Sequence, residues 1–289
     1  MVRLKDLINK GVETISSLYP EGEAREMVYA FLEHHIGTKR HTHIIEPAYE
    51  VSDEAAADAV KAFERMSSGE PLQYVTGLAD FYGRQFRVTP DVLIPRPETE
   101  LLCNTVINKG AVSILDLCTG SGCIAWTLAL ELAGAKVTAV DISDGALAVA
   151  SSQDFSEEMA RTGAHAPAFI KADVLAGPSA SGDAEQRFDI LVSNPPYVMD
   201  KEKALMRRNV LEHEPELALF VPDDDPLIFC RAVSAWALHF LKPGGFCMVE
   251  INEALGEETA DVFRNAGFID VRVVQDLNSR DRFVTAVRQ

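Results

Sequence analysis

The sequence lacks several features that would place it in a common functional class. No apolar run approaches the roughly 18 residues that a membrane-spanning helix needs, and the charged segment 1–6 is not followed by the apolar stretch of a signal peptide. Only 27 Lys and Arg stand against 44 Asp and Glu, which gives a net charge of −17. Because such a charge repels phosphate backbones, we expect no stable binding to nucleic acid and no membrane association.

Cysteine is scarce, and its five copies form no C-x-x-C pair. Most of them lie in apolar runs, where a free cysteine behaves as a small hydrophobic residue, so we expect free thiols in a reducing cytoplasm. The histidines His34, His35, His41 and His43 form the one group that suggests a metal site. They lack acidic or cysteine partners at ligand spacing, and we therefore expect a solvated helix end and no bound metal.

What the sequence does contain indicates a small helical region before a larger α/β region. Residues 1–75 show helical apolar spacing, with Ser52 as the N-cap of a third helix. They carry 8 Lys and Arg against 13 Asp and Glu, a net charge of −5. Residues 76–110 predict a linker with a β-hairpin that turns at Gly83-Arg84, followed by a helix that begins at Pro97.

From residue 111 to residue 289, strands and helices alternate, which is the pattern of a parallel sheet covered on both faces. The seven predicted strands are 113–117, 136–140, 168–171, 188–193, 246–251, 271–275 and 283–287. Residues 176–185 predict a loop. The order of the strands suits a doubly wound, Rossmann-like, mostly parallel sheet.

The turn after the first of these strands has the composition of a ligand-binding turn. It reads Cys118-Thr119-Gly120-Ser121-Gly122, with glycine where the backbone must pass close to a ligand. Asp141 ends the next strand, where an acid can accept hydrogen bonds from two ribose hydroxyls, and Asp173 ends the third, within reach of an adenine amine. NAD would suit this spacing too, but the third glycine of the dinucleotide fingerprint is absent: position 125 is Ala, which the fingerprint tolerates, and position 118 is Cys. The turn therefore favours a nucleoside cofactor, S-adenosylmethionine.

The strand 188–193 runs directly into Asn194-Pro195-Pro196-Tyr197, at the sheet edge where open α/β folds bind ligands. An amide or exocyclic nitrogen is a poor nucleophile because its lone pair is delocalised, so an enzyme must orient it toward the methyl donor. The Asn194 side-chain oxygen can accept one N–H of that group and the Pro195 carbonyl the other. The prolines bring no competing N–H, and Tyr197 can stack on the planar group. Catalysis is then mostly orientation and electrostatic placement.

With these motifs the chain resembles the HemK/PrmC family, the peptide chain release factor N(5)-glutamine methyltransferases. The resemblance covers nearly all of residues 70–289. The motifs that carry it are P-L-Q-Y-V-T-G at 71–77, F-Y-G at 81–83, L-I-P-R-P-E-T-E at 93–100, the turn at 114–122, N-P-P-Y at 194–197 and E-P-E-L-A-L at 214–219. The string I-P-R-P-E-T-E is the most specific, because other N-P-P-Y methyltransferases lack it.

The resemblance implies a class I methyltransferase fold and transfer of a methyl group from S-adenosylmethionine, with S-adenosylhomocysteine as product and no metal. The acceptor would be the glutamine in the Gly-Gly-Gln tip of class 1 release factors. Residues 118–122, Asp141 and Asp173-Val174 would bind the cofactor, Asn194 would touch both cofactor and substrate, and residues 194–197 would hold the glutamine. The helical region would dock the release factor, and we expect a cytoplasmic monomer.

Three positions depart from the family pattern. Cys118 stands where the family usually has its first glycine, which predicts weaker cofactor binding if the position needs a positive φ. Asn252 and Asn278-Ser279 stand at two further glycine positions. We expect Asn252 and Asn278-Ser279 to lie away from the methyl-transfer loop, residues 194–197.

Three other functions share parts of this pattern. An amino-methyltransferase acting on nucleic acid would use the same loop, but it needs a basic groove and a target-recognition region, which the acidic chain does not offer. A glutamine methyltransferase acting on a ribosomal protein is disfavoured by I-P-R-P-E-T-E. A protein that docks release factors without turnover would account for Cys118 but not for the intact 194–197 loop.

Overall fold

The structure, a computed structural model, describes residues 1–178 and 187–289. The chain divides into two compact units, one of Met1–Leu78 with Met206–His213 and the other of Ala79–Leu205 with Glu214–Gln289. The three-part division at residues 75 and 110 stays a prediction beside this arrangement. Most of the predicted loop at 176–185 lies outside the described residues. Within the described residues, no helix is long and apolar enough to span a membrane.

The first unit is the helical bundle. The elements of its N-terminal part are β1 (Val2–Arg3), α1 (Leu4–Ile15), α2 (Glu21–Ile36), α3 (Thr42–Ile45), β2 (Glu50–Val51), α4 (Asp53–Ser67) and α5 (Leu72–Thr76). As predicted, Ser52 caps α4, because its hydroxyl accepts a hydrogen bond from the Ala55 N–H at 3.1 Å. Gly11 on α1 packs against the buried ring of Phe63 so closely that a Cβ would lie 2.7 Å from it.

Two of the four histidines of this unit have aromatic neighbours. His35 stacks on Phe31 at 5.2 Å between ring centroids, and His43 stacks on Tyr29 at 5.8 Å. In the part of the chain that the structure describes, no group of three or more His, Cys, Asp or Glu side chains is arranged to hold a metal ion. These two rings pack against the bundle.

The second unit begins with a hairpin and continues as an α/β sheet. Its elements, together with α10 of the first unit, are β3 (Leu78–Phe81), β4 (Arg84–Arg87), α6 (Glu100–Ile107), β5 (Ser113–Leu117), α7 (Cys123–Glu131), β6 (Lys136–Asp141), α8 (Asp144–Ser151), α9 (Ser156–Thr162), β7 (Ala168–Lys171), β8 (Phe188–Ser193), β9 (Val198–Met199), α10 (Arg208–His213), β10 (Phe220–Val221), α11 (Ile228–Phe240), β11 (Leu241–Glu250), α12 (Gly256–Asn265), β12 (Ile269–Gln275) and β13 (Asp281–Val287). A 3-10 turn, Pro97–Thr99, precedes α6 and starts at the predicted proline.

The hairpin turns one residue earlier than predicted. Tyr82 and Gly83 occupy the turn with φ values of 50° and 71°, and Arg84 already belongs to β4. A two-residue hairpin turn of type I′ has positive φ at both central residues, and Tyr82 adopts it here without being glycine or asparagine. That choice could not be read from residue preferences.

All seven predicted strands are present in one sheet of order β12-β13-β11-β8-β5-β6-β7. β13 runs antiparallel to both of its neighbours, and the pairs from β11 to β7 are parallel, which confirms the predicted fold class. β11 begins at Leu241, five residues before the predicted start, because Leu241 pairs with Phe188 ahead of an irregular stretch.

The order of the strands reverses at β5. β5 pairs with β6 on one side and with β8 on the other, so the loops that follow β5 and β8 border one crevice at the carboxyl ends of these strands. Leu117 and Ser193 are opposite each other at the end of these two strands, and the Ser193 hydroxyl donates to the Leu117 carbonyl at 2.8 Å. The turn at 118–122 and the loop at 194–197 therefore start side by side.

Candidate active site

A cavity of about 300 Å³ opens at this crevice. The predicted site residues that line it are Cys118, Thr119, Gly120, Ser121, Asp141, Asp173, Val174, Asn194 and Pro196. It is also lined by Pro95, Arg96 and Thr99 of I-P-R-P-E-T-E and by Pro215, Leu217 and Ala218 of E-P-E-L-A-L. Of the predicted residues, all of which the structure describes, Gly122, Pro195 and Tyr197 do not line the cavity.

In the turn at 118–122, every second residue has a positive φ. Cys118, Gly120 and Gly122 have φ values of 60°, 55° and 78°. Gly122 packs against α8, since a Cβ there would lie 3.0 Å from the Ala150 Cβ. Cys118 adopts the left-handed region despite its Cβ, a conformation that costs roughly 1–2 kcal/mol for an L-residue. Position 118 therefore has the positive φ on which the prediction of weaker cofactor binding depended. The weaker binding itself stays a prediction.

Asp141 fixes the turn from the end of β6. Its carboxylate accepts the Gly120 N–H at 2.9 Å and the Ser143 N–H at 3.0 Å. Asp173 similarly accepts the Leu175 N–H at 2.8 Å and so starts the short 3-10 turn that contains Val174. Each aspartate thus lines the cavity and also accepts backbone N–H groups beside it, Asp141 from two different turns.

Titratable groups in the turn and behind it have shifted pKa values. Asp116 on β5 is fully buried, and this burial raises its pKa to about 7, against the opposing effect of the Thr119 hydroxyl that donates to it at 2.6 Å. Burial also raises the pKa of the Cys123 thiol to about 12 and that of Cys118 further still. These thiols are therefore neutral at physiological pH and poor nucleophiles.

The loop at 194–197 is held from below by two buried residues, Thr99 and Glu250, neither of which was predicted as a site residue. Pro195 and Pro196 are buried, and the Asn194 side-chain amide donates to the Thr99 hydroxyl at 3.3 Å. The Tyr197 hydroxyl donates to Glu250 at 2.9 Å. Burial, and then the Glu250 charge, raise the pKa of Tyr197 well above its usual value. The predicted stacking of Tyr197 on the substrate stays a prediction.

The two most distinctive motifs meet at Glu214. Its carboxylate accepts from the Arg96 guanidinium at 2.7 Å and from the Ile94 N–H at 3.2 Å, and its side chain is almost fully buried. Arg96 lies in I-P-R-P-E-T-E and Glu214 opens E-P-E-L-A-L. The ion pair holds both strings at the cavity, a pairing that no local pattern in the sequence indicates.

The expectation that Asn252 lies away from the methyl-transfer loop is wrong. Asn252 lies two residues after the end of β11, which is the neighbour of β8, so it is at the same edge of the sheet as the loop. Its side-chain amide donates to the Tyr197 carbonyl at 3.2 Å and to Glu202 at 2.7 Å.

Two family models match this chain. The family model of the PrmC N-terminal domain matches residues 6–77, and that of the methyltransferase small domain matches residues 97–217. A release factor glutamine methyltransferase of Bacteroides thetaiotaomicron is 46% identical over 226 residues, which cover 78% of each chain. One of Flavobacterium psychrophilum is 35% identical over 288 residues, covering 97% of this chain and 98% of that one. The chain belongs to the release factor glutamine methyltransferase family.

Membership of the release factor glutamine methyltransferase family confirms the resemblance seen in the motifs. The chain is an S-adenosylmethionine-dependent methyltransferase, with the predicted class I fold. Among solved structures, a release factor-specific protein-(glutamine-N5) methyltransferase of Alicyclobacillus acidocaldarius is 30% identical, covering 71% of this chain and 99% of that one, with a TM-score of 0.40.

Proposed function

We propose that this protein methylates the side-chain amide nitrogen of the glutamine in the Gly-Gly-Gln tip of class 1 peptide chain release factors. The observation that carries the proposal is the position of Asn194. It lines the same cavity as the cofactor turn, at the point where β5 and β8 leave the sheet. Family membership supplies the class of substrate, because the relatives are named release factor glutamine methyltransferases.

The residues around the cavity fit S-adenosylmethionine. A carboxylate at Asp141 suits ribose hydroxyls, and the polar edge at Asp173-Val174 suits an adenine ring. The turn at 118–122 brings backbone close to the cavity with no bulky side chain at Gly120. When bound, the cofactor supplies an electrophilic methyl group on a sulfonium. Transfer to an oriented nitrogen requires no metal in this scheme.

The 194–197 loop would orient the amide. The Asn194 side-chain oxygen accepts one N–H of the glutamine and the Pro195 carbonyl accepts the other, which turns the nitrogen lone pair toward the methyl donor. Pro196 offers no N–H that would compete for these acceptors. After transfer, the acidified nitrogen loses its proton to water or to a nearby carbonyl. The rate would come from placement rather than from a strong base.

Recognition of the release factor body would fall to the helical unit. A single glutamine side chain offers few atoms, so specificity requires surface outside the cavity. Ile44 and Ile45 on α3 are 65% and 75% exposed, although isoleucine is ordinarily buried. These two side chains give the helical unit an apolar contact to offer a partner protein.

The test is an intact-mass measurement on a purified class 1 release factor incubated with the enzyme and S-adenosylmethionine. We expect a gain of one methyl group, located by peptide fragmentation at the glutamine of Gly-Gly-Gln. A release factor with asparagine in place of that glutamine is the matched control and should gain nothing. Methylation of a ribosomal protein but not of the release factor would overturn the proposal.

A further inference from the structure

A chain of buried hydrogen bonds runs beneath the 194–197 loop. The Tyr197 hydroxyl donates to Glu250 Oε1 at 2.9 Å, and the Thr99 hydroxyl donates to Glu250 Oε2 at 2.7 Å. Asn194 Nδ2 in turn donates to Thr99 Oγ1 at 3.3 Å. Thr99 and Glu250 are only 2% and 1% exposed. Three distant parts of the chain thus meet at one carboxylate.

The direction of each hydrogen bond follows from the carboxylate. An ionised carboxylate can only accept, whereas a hydroxyl has one proton to donate. Burial raises the pKa of Glu250 above its usual value, and the two hydroxyl donors and the positive charge of Arg282 offset only part of that rise. Because Thr99 gives its proton to Glu250, its oxygen is left only as an acceptor.

This leaves Asn194 a single favourable orientation. Its Nδ2 group can donate to the Thr99 oxygen, whereas a flipped amide would set Oδ1 against another acceptor. Within the described residues, the Asn194 side chain has no other hydrogen-bond partner. With Nδ2 bound to Thr99, Oδ1 is the atom that remains to accept an N–H at the cavity.

We infer that Glu250 and Thr99 are positioning residues that fix the side-chain amide of Asn194 with its oxygen available to the substrate. The inference rests on the proposed function, in which that oxygen accepts an N–H of the glutamine amide. The same carboxylate binds Tyr197, so it holds both ends of the four-residue loop. A flipped Asn194 would present N–H groups to the substrate N–H groups and would disfavour the productive pose.

The first test compares Thr99→Val with Thr99→Ser. Valine keeps the branched shape and removes the hydroxyl, whereas serine keeps the hydroxyl and removes the methyl group. We expect Thr99→Val to lower kcat for release factor methylation roughly 10- to 100-fold, as for the loss of one oriented polar contact, with KM within threefold. Thr99→Ser should stay within threefold of the wild-type kcat. Equal kcat for Thr99→Val and wild type would overturn the inference.

A double-mutant cycle distinguishes positioning from general damage to the fold. If Thr99 acts through Asn194, adding Thr99→Val to Asn194→Ala should slow the enzyme no further. Full additivity of the two losses would contradict the inference that Thr99 acts through Asn194. Glu250→Gln provides a second variant, because a glutamine offers only one acceptor oxygen to two hydroxyl donors. It should lower kcat as Thr99→Val does, and an unchanged kcat would count equally against the inference.

The orientation can also be observed without substrate. In enzyme labelled with ¹⁵N-asparagine, the Asn194 side-chain amide protons should show nuclear Overhauser effects to the Thr99 methyl group. If these effects are present in an enzyme that leaves release factors unmodified, the orientation of Asn194 by Thr99 and Glu250 is supported and only the proposed function is overturned. If they are absent in an enzyme that methylates the glutamine, only the orientation of Asn194 by Thr99 and Glu250 is overturned.

Discussion

The side-chain amide of Asn252 donates a hydrogen bond of 3.2 Å to the backbone carbonyl of Tyr197, the last residue of the 194–197 loop. The same amide donates to Glu202 at 2.7 Å, while its oxygen accepts the Ala254 N–H at 2.9 Å. One side chain thus caps the turn after β11 and braces the loop after β8. Since glycine has no side chain, a glycine at this position could do neither.

Replacing Asn252 by aspartate isolates the bracing role. Aspartate keeps the acceptor for the Ala254 N–H but turns an oxygen toward the Tyr197 carbonyl and the Glu202 carboxylate. We expect methyl transfer to slow about tenfold, roughly 1.4 kcal/mol, with cofactor affinity within a few-fold. Asn278→Asp makes the same chemical change in an exposed turn and is the control. Equal rates for the two variants would show that the brace has no part in catalysis.

Asp141 should control cofactor affinity. If Asp141 accepts hydrogen bonds from two ribose hydroxyls as proposed, Asp141→Ala removes both, each worth about 1.5–3 kcal/mol to a charged group, and it also leaves the Gly120 N–H without its partner in the turn. We expect the affinity for S-adenosylmethionine, measured by calorimetry, to fall at least tenfold. Asp144→Ala removes a carboxylate that binds Lys171 and does not line the cavity, so its affinity should match that of the wild type. Unchanged affinity in Asp141→Ala would remove Asp141 from the site.

Cys118→Gly should relieve backbone strain without loss of activity. The left-handed φ of 60° costs roughly 1–2 kcal/mol for cysteine, and glycine removes this cost. The greater freedom of glycine in the unfolded chain offsets about 0.5–1 kcal/mol of the resulting stabilisation. We expect the free energy of unfolding to rise by up to about 1 kcal/mol, with equal or faster methyl transfer. Cys118→Ala keeps the strain and loses the thiol. If both variants lose activity alike, the thiol itself has a role.

Stability should fall as pH rises from about 4 to about 7, because of Asp116. Its folded-state pKa is raised to about 7 from 3.8, so the folded protein binds this proton more tightly than the unfolded chain. The stabilisation is complete below the unfolded pKa and is lost as pH rises through 7, by up to about 4 kcal/mol in total. In urea unfolding from pH 4 to pH 8, Asp116→Asn should remove this part of the slope. Parallel curves for the two proteins would contradict the assignment.

The docking role of the helical unit can be tested at Ile44 and Ile45. Changing both to serine should raise KM for the release factor at least tenfold and leave kcat and cofactor affinity unchanged, since full burial of a single isoleucine is worth about 1.5–3 kcal/mol. Leu277→Ser, at a side chain that is 99% exposed in the other unit, is the control. An unchanged KM would place recognition elsewhere. Point changes are preferable to removing residues 1–70, because residues 206–213 belong to the same unit.

The elements of the sheet could be predicted because each is encoded by its own residues. The apolar strand 113–117, the turn that follows it and the N-cap at Ser52 are all local signals, and the structure contains each of them. The left-handed Tyr82 was not predictable in this way, because tyrosine has no preference for that conformation.

The supports of the site were not predictable for a different reason. Thr99 meets Glu250 across 151 positions, and Arg96 meets Glu214 across 118. Such pairs depend on which strands become neighbours, here β11 beside β8 and β8 beside β5, and no periodicity in the sequence encodes that order. Most residues that line the cavity, Arg96 and Thr99 among them, could be found from their motifs, whereas the pairings that hold them in place could not.

The most direct test of the account is the single-turnover rate of methyl transfer by Asn194→Ala to a class 1 release factor, with the enzyme saturated in S-adenosylmethionine. Because Asn194 is proposed to accept an N–H of the glutamine amide, the rate should fall roughly 10²–10³-fold while the protein stays folded and binds cofactor. A rate close to that of the wild type would show that the amide is held by other groups and would contradict the central claim.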